Sequence, residues 1–299
     1  MIKKLPFNKF YKIFNLVSFL LIVFSILLLL FKGLNFGVDF KGGTLIELRT
    51  FDKNITIKNL RDSLNQINLG DVSVKKFGSD NDYLIKFEKK NFNNPNFINE
   101  IKEKIISSLG NTFEFRRVEN VGPKVSSELL RSGIIAICLS LAAMLVYIWI
   151  RFEWQFSLGA IVALFHDVII TLGIFSLFSL EINLSIVAAV LTIVGYSMND
   201  TVVIFDRVRE NLKKHSDIKI FELTNISINE TLSRTIITSA TTLLALFAIF
   251  FFGGEILKGF SLAMILGVFF GTYSSIYIAN PILVFLKVSS KTILKEDKD

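Results

Sequence analysis

The chain has 299 residues, of which 52% are hydrophobic, and its 33 Lys and Arg against 26 Asp and Glu give a net charge of +7. This share of apolar residues, which includes 30 Phe, excludes an ordinary soluble domain and indicates a membrane protein. The single cysteine, Cys138, excludes an intrachain disulfide and a metal site built on cysteines.

Six stretches of roughly 20 apolar residues, the length that crosses the hydrocarbon core of a bilayer, follow one another along the chain. They predict a polytopic α-helical membrane protein with spans at residues 13–31, 132–150, 156–178, 183–205, 233–253 and 257–286. No small-residue cleavage pattern follows the first span, so we interpret it as a retained anchor and not as a signal peptide.

Basic residues concentrate before the first span, between the fourth and fifth spans and after the sixth, whereas the short connections at 179–182 and 254–256 contain no Lys or Arg. The positive-inside rule therefore predicts that both termini are cytoplasmic and that the long segment after the first span is on the outer side. Because the basic residues follow the ends of the spans, they also argue against a nucleic-acid partner. The predicted parts are a cytoplasmic N-terminus with the first span (1–31), an outer domain (32–131), a five-span bundle (132–286) with a cytoplasmic loop (206–232), and a cytoplasmic tail (287–299).

The outer segment has the pattern of a small α+β domain. "GGTLIELRT", "VSVKKF", "DYLIKFE" and "TFEFRRV" are typical of strands, and Gly78 to Asn81 predict a turn between the second and third of them. Two stretches between the strands have helical apolar stripes, namely Ile57, Leu60, Leu64 and Ile67, and then Phe97, Ile101, Ile105 and Leu109. Asn94 and Pro95 predict the start of the second helix. The order βαββαβ indicates a ferredoxin-like sandwich of one sheet and two helices.

The loop at 206–232 carries Ile218, Phe221 and Ile226 among charged residues. This pattern fits an amphipathic segment that lies on membrane lipid. It fits equally well a helix that caps the cytoplasmic ends of the bundle.

Asp200 and Arg234 are ionisable residues in the inner parts of the fourth and fifth spans, and Asn199 precedes Asp200. These spans are antiparallel neighbours, and both charged residues are equally far from residue 217 in the connecting loop. We therefore expect the carboxylate and the guanidinium to lie at one depth and to be able to pair, since ionisable groups in a membrane usually face a partner or a water-filled path. The alternative is that both side chains snorkel to the headgroups.

Small and hydroxyl residues recur at helical spacing on these two spans, which predicts a protein-facing seam. The residues are Ala188, Thr192, Gly195 and Asn199 on the fourth span, and Arg234, Thr238, Thr241 or Thr242, and Ala245 on the fifth. On the sixth span Gly267 and Gly271, with Ser274 and Ser275 after them, form another small-residue stripe. We expect the two glycines to be exposed on the chain and to pack against a helix of a partner protein.

His166 and Asp167 lie midway along the third span. They form either a polar pair that neighbouring Ser and Thr hydroxyls satisfy or part of a proton path. The sequence contains no nucleotide-binding or hydrolase motif and only two histidines, so we expect neither an enzyme nor a bound cofactor or metal.

Seven ordered motifs make the whole chain resemble the SecF family of bacterial protein export. They are "GVDFKGG" at 37–43, "VGPKVSSELL" at 121–130, "RFEW" at 151–154, "FHDVIIT" at 165–171, "YSMNDTVVIFDRVREN" at 196–211, "SRTIITSATT" at 233–242 and "GTYSSIYIA" at 271–279. The chain departs from the family pattern at Ser126, where a Gly is usual, and at Met198, where a branched aliphatic residue is usual.

The resemblance implies a bundle that is half of a resistance-nodulation-division transporter. It also implies an inner-membrane protein that works with SecD and the SecYEG translocon, and that uses the proton motive force to move preproteins on the outer side. In this family the residues that match Asp200 and Arg234 belong to the proton path. Two alternatives remain, a stand-alone proton-coupled exporter of small molecules and an assembly factor that stabilises the translocon without energy coupling.

Overall fold

A computed structural model describes residues 5–51, 55–66, 72–87, 96–109, 113–215, 217–290 and 292. In chain order the described residues form a 3-10 turn at Phe7–Phe10, then α1 Tyr11–Phe31, β1 Asn35–Phe36, α2 Val38–Lys41, β2 Gly43–Thr50, α3 Ile57–Gln66, β3 Val72–Phe77, β4 Ser79–Phe87, α4 Phe97–Leu109, β5 Phe113–Val121, α5 Pro123–Arg151, α6 Trp154–Leu177, β6 Glu181–Ile182, α7 Leu184–Lys214, α8 Ile220–Phe252, α9 Glu255–Ser274, a π-helical segment Ser275–Ala279 and α10 Asn280–Phe285.

The chain divides into two compact units. One unit contains residues 36–134, and the other contains residues 1–35 and 135–299. The sequence places this boundary at 32 and 131, and the small difference has a local cause. Helix α5 already begins at Pro123, because the fixed φ of proline suits the first position of a helix, and it continues past the predicted start of the second span.

The first unit has the predicted ferredoxin-like arrangement. Its four strands are antiparallel neighbours in the order β3-β4-β2-β5, so the first and last strands of the βαββαβ unit lie side by side. Four residues of the predicted helical stripes, Leu60, Leu64, Ile101 and Ile105, are buried in the core with strand residues such as Ile46. The predictions for Ile67 and for the helix start at Asn94 and Pro95 lie outside the described residues.

The predicted turn between the second and third strands is shorter than expected. Gly78 alone separates β3 from β4, and its φ of 82° is in the left-handed region that favours glycine.

The described residues of the second unit include six helices that are long and apolar enough to cross a membrane, as predicted. Four of them are α5, α6, α7 and α8, the first consists of the 3-10 turn with α1, and the last runs from Ile256 to Phe285 through the π-helical segment. The apolar core of the bundle contains Phe156 and Phe205, whose rings meet edge to face at 5.2 Å. The chain ends, for which the sequence predicts a cytoplasmic location, lie outside the described residues at 1–4 and after Thr292.

The π-helical segment is explained by the residues that follow it. Pro281 has no N–H to continue the α-helical hydrogen bonds, so the pattern must change before it. Asn280 instead donates from Nδ2 to the carbonyl of Ser275 at 2.7 Å. The last span therefore changes its backbone pattern directly after Ser274.

The segment predicted as a cytoplasmic loop at 206–232 is mostly helical, which corrects that prediction. Helix α7 extends to Lys214 and α8 begins at Ile220. Charged neighbours along α7 support this extension, because Glu210 accepts hydrogen bonds from Arg207 and from Lys214 at 2.6 Å each, at spacings that face each other on a helix. The charged residues after position 205 mark the end of the predicted apolar span, but helix α7 continues through them.

The first turns of α8 contact the N-terminal segment, an arrangement that fits a capping helix. Leu223 is buried, and the N-terminal segment covers this part of α8. The amide of Leu5 donates to Asn229 Oδ1 at 2.8 Å, and Tyr11 donates its hydroxyl hydrogen to Thr224 at 3.2 Å.

Candidate functional site

Asp200 lies inside the bundle on α7, with 4% of its surface exposed. Its Oδ2 accepts hydrogen bonds from Ser239 on α8 and from Thr272 on α9, each at 3.3 Å. The two hydroxyl oxygens are themselves 2.7 Å apart. Three helices thus supply one small polar site in apolar surroundings, and its carboxyl does not reach the surface of the chain.

Arg234 does not form the predicted ion pair with Asp200. Its side chain is exposed, and the ion pairs within 4.0 Å among the described residues do not join the two. The guanidinium is near enough to attract the carboxylate through space, without direct contact. For Arg234 the snorkelling alternative stays open, whereas burial argues against it for Asp200.

The register of the α7–α8 hairpin explains why the pair does not form. Asn211 donates from Nδ2 to Ser227 at 2.9 Å, and Asp200 accepts from Ser239. The midpoint in sequence between the two partners is near residue 219 for both contacts, whereas the prediction assumed a midpoint at residue 217. Moving this midpoint by two residues changes the α8 residue that lies at the depth of Asp200 by about one helical turn, from Arg234 to Ser239.

His166 and Asp167 form a second polar cluster, which is fully enclosed. Asp167 has no exposed surface, and its Oδ2 accepts from Ser197 on α7 at 2.5 Å and from Ser274 on α9 at 2.8 Å. Its Oδ1 lies 2.8 Å from Nδ1 of His166, whose ring stacks on Tyr273 at a centroid distance of 5.9 Å. The hydroxyl groups of Ser197 and Ser274 thus satisfy Oδ2 of Asp167, as one of the two alternatives for this pair predicts.

The small-residue face of α7, defined as Ala188, Thr192, Gly195 and Asn199, is exposed on this chain. Arg234, Thr241 and Ala245 on α8 are exposed as well, and Thr238 is half-buried. Within this chain these residues therefore do not form a seam between the two spans, and the protein-facing seam stays a prediction. Asn199 consequently does not lie with Asp200, because adjacent positions on a helix point about 100° apart.

Gly267 and Gly271 have the opposite placement from the one expected, because both are buried within the chain. A Cβ atom on Gly267 would lie 2.2 Å from Cγ1 of Ile193, and one on Gly271 would lie 3.0 Å from Cβ of Ser197. The two glycines therefore permit close approach of α9 to α7 in the same chain. The expected contact with a partner helix is wrong.

Sequence reasoning missed the hydroxyl residues that complete both clusters. Ser239, Thr272 and Ser197 were not distinguished from the other hydroxyls of the spans, although all three lie within the quoted motifs. The signal that could have found Ser197 and Thr272 is their placement a few residues from Asp200 or from Ser274 in an apolar context, where a hydroxyl needs a partner, whereas no local signal marks Ser239.

Among the described residues no three His, Cys, Asp or Glu side chains come together in a group that could hold a metal ion. The arrangement of Asp200 with two hydroxyl groups can bind and release a proton.

Comparison with known families identifies two matching regions. The family model for the C-terminal part of the protein export membrane proteins SecD and SecF matches residues 101–289. The model for the SecD/SecF GG motif matches residues 27–50, which include the two glycines at 42 and 43.

Curated relatives are similar along nearly their whole length. The protein translocase subunit SecF of Rickettsia bellii (strain OSU 85-389) is 45% identical over 278 residues, which cover 93% of this chain and 91% of the relative. The subunit of the same name from Vibrio alginolyticus is 42% identical over 293 residues, with 98% and 93% coverage.

Solved structures of SecDF have the same fold. The crystal structure of SecDF, a translocon-associated membrane protein from Thermus thermophilus, superposes with a TM-score of 0.85 at 35% identity over 96% of this chain. SecDF in a super-membrane-facing form gives a TM-score of 0.71 at 33% identity over 100% of this chain. This chain spans 39% and 40% of those two longer chains.

Proposed function

Because the chain belongs to the SecF family of protein-export membrane proteins, we propose that it works with a SecD partner to couple the proton motive force to preprotein export through the SecYEG translocon. The similarity of relatives along their full length supports protein export over a stand-alone exporter of small molecules. No bond-making chemistry is required of the chain.

The observation that carries the proposal is the environment of Asp200. Its carboxyl is buried in the bundle, and among the described residues it has two long hydrogen bonds from hydroxyl groups and no ion pair within 4.0 Å. A carboxyl held in this way can take up or release a proton when small movements change its surroundings, since no strong partner fixes its charge. Asp200 is therefore the proton carrier in our proposal.

Arg234 is the second member of the proposed path, in the role of a distant counter-charge. Its guanidinium attracts the Asp200 carboxylate without contact, so a small displacement of α8 relative to α7 would change that attraction. One charge that crosses 100 mV is worth about 2.3 kcal/mol, which suffices to bias a bundle between two arrangements of similar free energy.

The exposed small-residue face of α7 is the proposed contact surface for SecD. Small residues let helix backbones approach closely in a membrane, and here they have no helix of the same chain against them. The SecDF chain of known structure is more than twice as long as this one, which supports a partner that supplies the remaining helices.

The proposed location is the bacterial inner membrane, with both termini in the cytoplasm and residues 36–134 on the outer side. The distribution of Lys and Arg among the connections supports this orientation.

The experiment that tests the proton-carrier role compares Asp200→Asn, Arg234→Met and the double variant. Asn keeps the shape of the side chain but cannot titrate, so we expect normal accumulation and loss of export driven by a proton gradient. Arg234→Met should also lose coupling. Asp206→Asn is the matched control, because it neutralises a carboxylate of the same helix that is exposed and pairs with Arg151.

The measurements are protein level in membranes and export of a secreted reporter under an imposed proton gradient. Normal export in Asp200→Asn would contradict the proposal and favour an assembly factor without energy coupling. Recovery of both protein level and export in the double variant would instead indicate a purely structural charge pair.

A further inference from the structure

We propose that Asp167 is a positioning residue, which holds α7 and α9 in the register that brings Thr272 to Asp200, and that it carries no proton itself. This inference rests on the proposed function of Asp200. It assigns to Asp167 a different task from that of Asp200.

The hydrogen bonds of Asp167 join three helices at one atom. Oδ2 accepts from Ser197 on α7 and from Ser274 on α9, while Asp167 itself belongs to α6. The distances of 2.5 and 2.8 Å are much shorter than the 3.3 Å of the bonds to Asp200. The Asp167 cluster is thus the tighter of the two, as a fixed joint requires.

The Asp167 cluster lies next to the Asp200 site on both helices that it joins. Ser197 precedes Asp200 by three residues on α7, a rise of about 4.5 Å, and Ser274 follows Thr272 by two residues on the last span, a rise of about 3 Å. The helix backbone is stiff over so short a distance. A carboxyl that fixes Ser197 against Ser274 therefore also fixes Asp200 against Thr272.

Close packing at Gly271 supports the same joint. A Cβ on this residue would lie 3.1 Å from Cα of Ser197, so the α7 and α9 backbones meet at the level of the Asp167 cluster. Slippage of one helix past the other would break the packing at Gly271 and both bonds to Asp167 together.

His166 connects the Asp167 cluster to the first span through Tyr273. Its ring stacks on Tyr273, whose hydroxyl donates to the carbonyl of Phe14 at 2.9 Å and hydrogen-bonds with Ser18 at 2.8 Å. Its Nε2 is buried and has no hydrogen-bond partner among the described residues. A proton relay through the imidazole would need a partner at this atom, whereas a positioning role does not.

The chemistry of the Asp167 cluster permits a sharp distinction between positioning and proton transfer. In Asp167→Asn the amide oxygen can accept from both serines, and the amide nitrogen can donate to Nδ1 of His166 in its other tautomer. The asparagine therefore keeps every hydrogen bond and removes only titration. Asp167→Leu keeps the volume and removes every hydrogen bond.

The test uses the complex with SecD and compares Asp167→Asn, Asp167→Leu and the double variant Ser197→Ala with Ser274→Ala. Ser261→Ala is the matched control, because Ser261 is buried on α9 and bonds only to its own helix. The measurements are accumulation, export under a proton gradient, and the pH profile with which a carbodiimide modifies Asp200, read by peptide mass spectrometry.

We expect Asp167→Asn and the control to match the parent in all three measurements. The Asp167→Leu and double-serine variants should lose export and show a displaced labelling profile at Asp200, because Thr272 no longer faces it. The labelling profile separates positioning from a general loss of stability, which lowers accumulation and leaves the profile of the folded fraction in place.

Loss of export in Asp167→Asn at normal accumulation would overturn the inference and make Asp167 a proton carrier. A parental labelling profile in the double-serine variant would also overturn it, and this variant decides the question if Asp167→Leu does not accumulate. The proposed function of Asp200 is tested independently. Normal export in Asp200→Asn would contradict that function, whatever the result for the Asp167 variants.

Discussion

At the scale of single residues, the buried carboxyls of Asp167 and Asp200 have different hydrogen-bonding environments. Asp167 receives two short hydrogen bonds from serines and a third contact from His166, whereas Asp200 receives only two long bonds. A group with firm partners is costly to move or recharge, and a group with weak partners responds to small displacements. The difference in hydrogen bonding, more than the difference in burial, distinguishes the proposed positioning residue Asp167 from the proposed proton carrier Asp200.

Thr272 contributes one of the two donors of Asp200, so its hydroxyl should influence coupling. Thr272→Val keeps the side-chain volume and removes the donor. Because the bond is long, we expect it to contribute about 1 kcal/mol, less than is usual for hydrogen bonds to charged groups, so export at a fixed proton gradient should fall about fivefold.

Export rate at constant protein level is the measurement for Thr272→Val. Thr241→Val is its control, because that hydroxyl is on an exposed face of α8 and bonds only to backbone carbonyls of its own helix. Equal losses in the two variants would mean that the Asp200 contact has no special role.

At the scale of elements, the bundle contains two small-residue stripes, one of which is buried within the chain while the other is exposed. Gly267 and Gly271 on α9 pack against α7 within the chain, whereas Gly195 on α7 has no atom within 4 Å of its Cβ position. Both stripes have the spacing that favours close helix contact in a membrane. One therefore belongs to the fold and the other remains available for a partner.

A matched pair of substitutions should separate the two stripes. Gly267→Leu forces a side chain into Ile193, so we expect a loss of about 1–3 kcal/mol in the free energy of unfolding, and lower accumulation with or without SecD. Gly195→Leu meets open space in this chain and should leave its unfolding unchanged. It should reduce copurification with SecD, because it thickens the proposed contact face.

Thermal unfolding of the purified chain and pull-down of SecD are the two measurements for this pair. Undiminished SecD binding by Gly195→Leu would argue against the small-residue face of α7 as the contact surface. Unchanged unfolding of Gly267→Leu would argue against the close approach of α9 to α7.

At the scale of the whole molecule, charge and apolar length together imply one arrangement in the membrane. The hairpin of α7 and α8 carries a dense set of basic residues near its tip, while the short connections at 179–182 and 254–256 carry none. The six spanning helices alternate direction, so the side of one connection fixes the side of all the others.

Single-cysteine labelling in a Cys138→Ser background should reveal this orientation. We expect a membrane-impermeant thiol reagent to modify Asn96→Cys in intact spheroplasts, and His215→Cys only after the membrane is opened. Both sites are exposed in the structure, so access is limited by the membrane and not by burial. Modification of His215→Cys in sealed spheroplasts would reverse the predicted topology.

The sequence by itself determined the features that depend on local pattern. Apolar length located all six spans, and the alternation and stripes of the outer segment predicted the four strands of the sheet and the two helices α3 and α4. It also selected Asp200 and Asp167, because a carboxyl inside an apolar span is costly wherever the span packs.

Only the tertiary structure decided which groups meet. The register of α7 against α8 replaced Arg234 with Ser239 as the neighbour of Asp200, and the rotation of each helix buried Gly267 while it exposed Gly195. A shift of one turn or a rotation of half a turn leaves the hydropathy pattern almost unchanged but exchanges every contact. Register and rotation are set by the packing of several helices at once, and no single stretch of sequence contains that information.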